Sequence, residues 1–365
     1  VSEQRDTSVD EVDVMLLDAL HANPRARFER LGPALGISAV TAARRWQRLA
    51  DSGRAWVSSV PGPHLALVAA VFEVRAQPGH AVEVADALCA VPQVASVYAT
   101  DGSFDLHALV FADDMVALGE LLLERLPGLP GIAMTRASVG LTWYSGVHWQ
   151  LGAMDAAQKQ SVTERDDQDR RRTIRNRTFD PAERALFLAL QRDGRARYRM
   201  LAQEIGMTEN LVRRRLESMV RRGILSFRTD FARREGGWAA AYVFWLSCPH
   251  HQLGEIGEEI GGWPQIRICM STVGPANLMV MSQVHRLADV GDILERFRCL
   301  TPQVAVVDQR LVLRAHKSWG RLLGPDGRAV DLVPVDPWHP ISALEGDQPI
   351  PASEGRPGLG YWSTS

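Results

Sequence analysis

From Thr208 to Gly223 the sequence reads TENLVRRRLESMVRRG, with arginines at 213, 214, 215, 221 and 222. Arginine at this density is suited to a polyanion, because its planar fork of donors meets phosphate oxygens and the edge of guanine. The spacing predicts one helix. Thr208 is a good N-cap, Leu211, Leu216 and Met219 form an apolar stripe, and Gly223 supplies the left-handed residue that closes a helix. Arg213, Arg214, Arg221 and Arg222 fall on the remaining faces. Upstream, RYRMLAQEIGM (Arg197 to Met207) reads as a shorter helix ending at Gly206, so the pair has the spacing of a helix-turn-helix. A merely solvated basic face is the plain alternative for a single such helix.

A second copy tips the balance. Adding 170 to each position from Asp10 to Gly53 lands on Asp180 to Gly223 without a gap. Leu16 meets Leu186, Ala19 and Leu20 meet Ala189 and Leu190, and Arg25, Ala26 and Arg27 meet Arg195, Ala196 and Arg197. Gly36 meets Gly206, and Arg44 and Arg45 meet Arg214 and Arg215. A gapless repeat of that length is a duplicated structural unit, and its period is far too long for a solenoid. In the first copy Ser38 caps SAVTAARRWQRLADSG, which offers Thr41, Arg44, Gln47 and Arg48 to DNA, with Arg45 turned inward. The second copy offers Glu209, Asn210, Arg213, Arg214 and Glu217, with Arg195, Arg197, Arg221 and Arg222 set for the phosphate backbone. Pro33 stands in the second helix of the first copy where Gln203 stands in the other; beyond a first turn it costs ~3 kcal/mol unless the helix starts late. The first head is therefore expected to be the weaker reader.

Other chemistry is sparse. Cys248-Pro249-His250-His251 has metal-like residue types but not a zinc spacing, and there is no HExxH, nucleophile elbow or phosphate-binding glycine loop. No metal, cofactor or catalytic set is expected. His64, His107 and His285 read as surface or core residues, Trp245 and Trp263 as core. The four cysteines show no CxxC spacing and read as reduced thiols.

The elements that position the arginines follow from periodicity. After the first head come the strand LALVAAVFEV, the helix QPGHAVEVADALCAV, the strand VASVYAT, the loop DGSFD, the strand LHALVFA, the helix MVALGELLLERL and the strand MTRASVGLTW. From Trp238 the same order returns at an offset of 172, pairing Phe72 with Phe244, Gly102 with Gly274 and Leu106 with Leu278. The expected fold class is α+β, two winged-helix or helix-turn-helix heads alternating with two ferredoxin-like βαββαβ sandwiches. The expected boundaries are a disordered 1–8, a head at 9–60, a sandwich at 65–150, a polar linker at 151–177, a head at 178–232, a sandwich at 236–316, and a hairpin with a flexible tail at 317–365. The hairpin expectation rests on the Pro325-Asp326-Gly327 turn. RDDQDRRR, within the linker, reads as solvated.

Charge is segregated. The net charge is only −2, yet Arg25 to Arg54 holds seven arginines against two acids and Arg192 to Arg222 nine against four, while Ala66 to Tyr144 holds three against nine. Basic heads on an acidic body point to double-stranded DNA as partner. No run of eighteen apolar residues and no signal-peptide pattern is present, so a cytoplasmic protein without a membrane segment is expected.

With these residues in view, each half resembles the Lrp/AsnC family of transcription regulators, most specifically through D-xx-E-xx-LFLAL, R-A-R-Y, L-A-xx-I-G-M-T, V-RRR-L and RRGIL between Asp180 and Leu225. The resemblance covers roughly 9 to 144 and 179 to 316. It implies a DNA-reading head joined to a RAM sandwich, with amino-acid-like effectors bound where RAM sheets pair, beside a Gly-x-x-Asp loop. Carried over, the first site comprises Tyr98, Thr100, Gly102, Phe104 and Asp105, whose carboxylate suits an ammonium group. The second comprises Thr272, Gly274 and Asn277, which lacks that charge. The plain alternative makes both loops simple hairpin turns. The resemblance also implies a pseudo-dimer within the chain and further homo-oligomers; a flexible linker of this length spans roughly 30 Å, which permits such pairing. Siroheme decarboxylases are similar in arrangement, but the segments that would carry their chemistry, Val57 to Leu65 and Ser226 to Trp238, offer only His64 and no His-Arg-Arg motif.

Overall fold

A computed structural model describes residues 9–146, 153–162 and 177–341. The first head comprises α1 (Glu11–Ala22), α2 (Phe28–Ala34), α3 (Ala39–Asp51) and β1 (Ala55–Pro61). The first sandwich follows as β2 (Val68–Ala76), α4 (Ala81–Ala90), β3 (Val94–Thr100), β4 (Leu106–Ala112), α5 (Met115–Glu120) and β5 (Ile132–Ser145). After α6 (Ala156–Val162) comes the second head, α7 (Pro181–Arg192), α8 (Tyr198–Ile205), α9 (Glu209–Arg221) and β6 (Leu225–Phe231). The second sandwich is β7 (Ala240–Ser247), α10 (Leu253–Gly261), β8 (Ile266–Thr272), β9 (Leu278–Val284), α11 (Val290–Leu300) and β10 (Ala305–Ser318), and a hairpin, β11 (Arg321–Leu323) and β12 (Ala329–Leu332), completes the described chain.

The heads start alike because their sequences do. Asp10 and Asp180 each accept from the backbone N–H three residues on, while Asp13 and Glu183 reach back to the cap, closing a capping box in each copy. Gly36 and Gly206, at φ +67° and +69°, end the second helices in the left-handed conformation. Pro33 is accommodated at the other end from that expected. The helix α2 does not start late but stops at Ala34, one residue short of the length of α8.

In each sandwich the strands alternate between two cores, since successive side chains point to opposite faces. In β2, Ala70, Phe72 and Val74 face α4, while Ala69 and Val71 face the other sandwich. In β7, Phe244 and Leu246 face α10 and α11, while Val243 and Trp245 face inward. Burial on both faces explains why these strands read as nearly continuous apolar runs.

The outer strands weld the halves together. β5 pairs with β2 from Ile132 to Val139 and then with β8, Gly140 opposite Thr272 and Trp143 opposite Met270. β10 pairs with β7 from Ala305 to Leu311 and then with β3, Val312 opposite Thr100 and Lys317 opposite Val97. The strands thus run β3-β4-β2-β5-β8-β9-β7-β10 and back to β3, a ring closed within one polypeptide. At the end of β5, Tyr144 docks in a notch in α10. A Cβ on Gly257 would lie 2.4 Å from its ring, and one on Gly261 would lie 2.9 Å from its carbonyl oxygen.

One expectation is corrected, that of an exposed linker, and two features are added to the rest. β1 and β6, not anticipated as strands, pair antiparallel from Ala55 opposite Phe231 to Pro61 opposite Leu225 and join the heads. The polar linker is packed at its start, where Met154 and Val162 are buried in the core of the first head. The C-terminal segment forms the expected hairpin, but it is docked as far as 341. Val335 exchanges two 2.7 Å hydrogen bonds with the side chain of Gln191, Gln93 donates to the His339 carbonyl, and Trp338 packs on Phe179 and Phe187. The expectations for residues 1–8, for RDDQDRRR and for the segment beyond Glu345 fall outside the described residues.

Two histidines are buried between layers. His21 Nδ1 lies 2.6 Å from the Leu17 carbonyl and His107 lies between Tyr98 and Trp245, opposite Glu73 in the sheet. Burial pushes both imidazoles down to about 4. The unfolded chain, with histidine near 6.5, binds more protons than the folded one between these values. Stability is therefore expected to fall as the pH drops from 6.5 through 4, by up to about 3 kcal/mol per histidine. Denaturant unfolding at stepped pH checks this, and His107→Leu should flatten the slope. In α10, Gly257→Ala should cost about 1–3 kcal/mol through overpacking against Tyr144. Gly254→Ala, where an added Cβ meets nothing within 4 Å, should be neutral or stabilising by up to about 1 kcal/mol. Thermal melts of the two variants separate these outcomes.

Candidate nucleic-acid interface and effector loops

The third helices of the two heads, α3 and α9, are held from beneath. Ser38 Oγ accepts from Thr41 N–H at 3.0 Å and Thr208 Oγ1 from Leu211 N–H at 3.4 Å, which starts α3 and α9 at equivalent residues. Ala42, Trp46 and Leu49 bury the inner face of α3; Val212, Leu216 and Met219 bury that of α9, Val212 taking the place expected of Leu211. Arg45 binds Asp10 at 2.7 Å and Asp13 at 2.9 Å, and Arg215 binds Asp180 at 2.7 Å, so in each head one arginine straps the third helix to the first.

The outer faces differ between heads. Arg44, Arg197 and Arg214 are exposed and carry no ion pair among the described residues. Arg213 is exposed with Nη2 3.4 Å from Asn210 Oδ1, Glu209 is exposed at the helix start, and Arg221 lies 4.0 Å from Glu217. Gln47 donates to Asp51 at 2.6 Å, and the Thr41 hydroxyl lies 2.8 Å from that of Ser38. Arg48 and Arg222 are placed differently from expectation. Arg48 pairs with the buried Asp13, and Arg222 binds Glu183 through two hydrogen bonds, so both are drawn toward their own heads.

Arg195, expected on the phosphate backbone, is instead half of a reciprocal clamp. Its guanidinium donates to the Pro24 and Ala26 carbonyls at 2.6 and 2.8 Å, while Arg25 donates to the Gly194 and Ala196 carbonyls. Each cation also lies over rings of the other head, Arg195 over Phe28 and Trp46, Arg25 over Tyr198 and Phe227. Burial and the neighbouring Arg25 pull Arg195 down to about 10. The two positions lie 170 apart, so the repeat in the sequence is a pseudo-twofold contact in space. With the β1–β6 pair, it fixes α3 and α9 relative to each other.

The two glycine loops are built alike. Thr100 Oγ1 donates to the Phe104 carbonyl and Thr272 Oγ1 to the Ala276 carbonyl. Asp105 Oδ2 accepts from Ala76 N–H at 2.8 Å, and Asn277 at the matching place exchanges two 2.8 Å bonds with the Cys248 backbone. Gly102 and Gly274 turn at φ +86° and +131°. Tyr98 is buried in the core between the sheets, and Phe104 lies under the guanidinium groups of Arg136 at 4.8 Å and Arg310 at 5.2 Å.

Beneath the first loop lies a charge cluster that the sequence reading missed. Glu73 and Arg310, both fully buried, pair with each other; Arg136 Nε adds a 2.6 Å bond to Glu73, and Asp308 pairs with Arg310. The members come from β2, β5 and β10, so both sandwiches contribute. At an offset of 172, Trp245 stands where Glu73 stands in the first copy and Asp308 where Arg136 stands, so the cluster has no twin. Charged residues inside apolar strand runs, VFEVRA and DQRLVL, were the available signal.

Comparison with known proteins matches this architecture. Residues 9–50 match the AsnC-type helix-turn-helix domain, 69–144 the Lrp/AsnC ligand binding domain, and 179–226 a winged helix-turn-helix DNA-binding domain. The HTH-type transcriptional regulator Ptr1 of Methanocaldococcus jannaschii is 27% identical over 121 residues, 32% of this chain and 82% of that protein. The regulator LysM of Saccharolobus solfataricus is 22% identical over 139 residues, 38% of this chain and 96% of its own. Nearly whole relatives thus match well under half of this chain. The siroheme decarboxylase NirDL aligns over 85% of this chain and 93% of its own with a TM-score of 0.53 at 14% identity, a likeness of fold. With two DNA-binding heads and an Lrp/AsnC ligand binding domain in one polypeptide, the chain belongs to the Lrp/AsnC family of transcription regulators as a tandem member.

Proposed function

We propose that the chain is a sequence-specific regulator that grips two non-identical half-sites as a pseudo-dimer, its DNA affinity modulated by an amino-acid-like effector beside the glycine loops. The observation that carries the reading is the reciprocal Arg25 and Arg195 clamp, which holds two basic helices in a fixed relation with different outer residues. Arg44 reads in one head, Arg213 and Arg214 in the other, and Arg197 and Arg221 position on phosphates. Two such heads meet half-sites about one helical turn apart, ~34 Å, or a multiple of it. An effector acts by preferring one arrangement of the heads over another. Thr100, Gly102, Asp105, Thr272, Gly274 and Asn277 are the residues assigned to the two effector sites, with Tyr98 and Phe104 behind the first. Assembly into larger homo-oligomers and a location in the cytoplasm belong to the same reading; among the described residues no helix is long and apolar enough to cross a membrane. A decarboxylase reading is supported by the shared fold alone. The single histidine it could use, His64, has Nδ1 3.1 Å from the Arg222 carbonyl.

The test is binding to DNA upstream of the protein's own gene across a salt series. Arg213→Ala with Arg214→Ala should abolish specific binding, whereas Arg197→Ala with Arg221→Ala should weaken binding to every sequence and reduce the salt slope by about 2, close to one unit per lost phosphate contact; unchanged specific affinity in the first pair would remove α9 from the interface. Footprinting should show an imperfect palindrome protected on both half-sites. Protection of one half-site alone, on a perfect palindrome, would rule out a pseudo-dimer that reads with both heads.

A further inference from the structure

The helices α3 and α9 present the same three places outward. Side chains at i, i+4 and i+7 share one face of a helix, and in α3 Val40, Arg44 and Gln47 lie opposite the buried Ala42, Trp46 and Leu49. In α9 the positions 170 further on are Asn210, Arg214 and Glu217, opposite Val212, Leu216 and Met219. The caps correspond as well, Ser38 accepting from Thr41 N–H and Thr208 from Leu211 N–H, so each place on one helix has a counterpart on the other. The arginine is common to both heads. The residue one turn before it is not.

Val40 is 79% exposed, and among the described residues of the first head it is the one large apolar side chain left on the surface. A lone exposed valine is ordinary in itself. This one stands in the first turn of α3, on the face turned away from the core, one turn before the exposed Arg44. Its side chain neither donates nor accepts, and among the four bases the thymine methyl is the apolar group that an edge offers in the major groove. Asn210, exposed at the matching place, carries the donor and acceptor that fit N7 and N6 of adenine. At the third place of α3, Gln47 is turned to Asp51 at 2.6 Å.

We propose that Val40 and Asn210 set the difference between the two half-sites, Val40 by covering a thymine methyl and Asn210 by pairing with an adenine. Residues three apart on a helix in the major groove meet successive bases. The thymine and the adenine therefore each lie about one base-pair step from the place met by Arg44 or Arg214. This assignment rests on the reading of both heads as DNA-binding modules with α3 and α9 in the major groove, and it adds what each head discriminates. The shared arginine gives the half-sites their likeness, and the residue before it gives them their difference.

In the experiment the full chain selects fragments from a random duplex pool, and the best fragment is remade with each thymine replaced in turn by uracil, which lacks only the methyl. One such replacement, in one half-site, should weaken binding about fourfold, the worth of a buried methyl-sized group. In Val40→Asn the same replacement should have no effect, and selection repeated with that variant should return adenine in place of the thymine. Asn210→Val should make the reverse exchange in the other half-site. Both substitutions fall on exposed first turns, so the variants should melt as the parent does. The proposal is overturned if uracil is neutral at every thymine, if Val40→Asn keeps the parent's sensitivity, or if neither variant changes the selected base. A pool from which no sequence is enriched removes the DNA-reading function and this assignment with it, whereas the other three results remove this assignment alone.

Discussion

The strand exchange at the two long outer strands is the constraint on which the remaining structure depends. β5 and β10 each spend their first half in their own sheet and their second half in the other, so neither sheet has a free edge on that side. An unpaired edge presents a row of bare N–H and C=O groups, and closure removes it. The core between the sheets, with Val71, Phe111, Trp245, Met270 and Met281, exists only because both halves are present. Tyr144 in its glycine notch on α10 makes the same point at the level of side chains, since a residue of the first half completes the helix layer of the second.

The heads sit on this barrel as a paired unit. Two strands that neither head could stabilise alone pair with each other, and two arginines at equivalent places cap the partner's turn carbonyls. The C-terminal segment adds a third tie, running from the hairpin near Gly53 to Gln191 and then to Gln93. The arginines therefore divide into two groups by what lies opposite them. Those facing carbonyls or carboxylates of the protein, Arg25, Arg45, Arg195, Arg215 and Arg222, fix geometry; Arg44, Arg197, Arg213 and Arg214 are left on the surface.

Fusion also frees the copies to differ. A symmetric dimer must place any cluster twice, whereas here Glu73 is answered by Trp245 and Arg136 by Asp308, which converts two equivalent places into one interlocking group of charges. The first loop ends on Asp105 and the second on Asn277, with the same backbone-bracing task and different charge. Arg48 braces Asp13 in the first head, while Arg222, at a different helix position, braces Glu183 in the second.

Local order was legible in the sequence. Caps, closing glycines and apolar spacing placed the three helices of each head, and β3, β4 and β9 fall on the nearly continuous apolar runs VASVYAT, LHALVFA and LMVMSQV. The repeat at 170 and 172 residues revealed the duplication before any contact was known. What residue types and spacing could not decide was partnership. β1 and β6 carry no alternation because both faces are covered, and their hydrogen bonds lie about 170 residues away. Arg195 and Arg213 look alike as letters; one faces the partner head's carbonyls and the other faces outward. The ion pair of Glu73 with Arg310 and the gathering of Arg228, Arg233 and Arg267 on Asp230 likewise depend on strands distant in the chain. Local conformation is set by nearest neighbours along the chain, and charge pairing by nearest neighbours in space; the first is written in the sequence, and the second appears only when the sheets close.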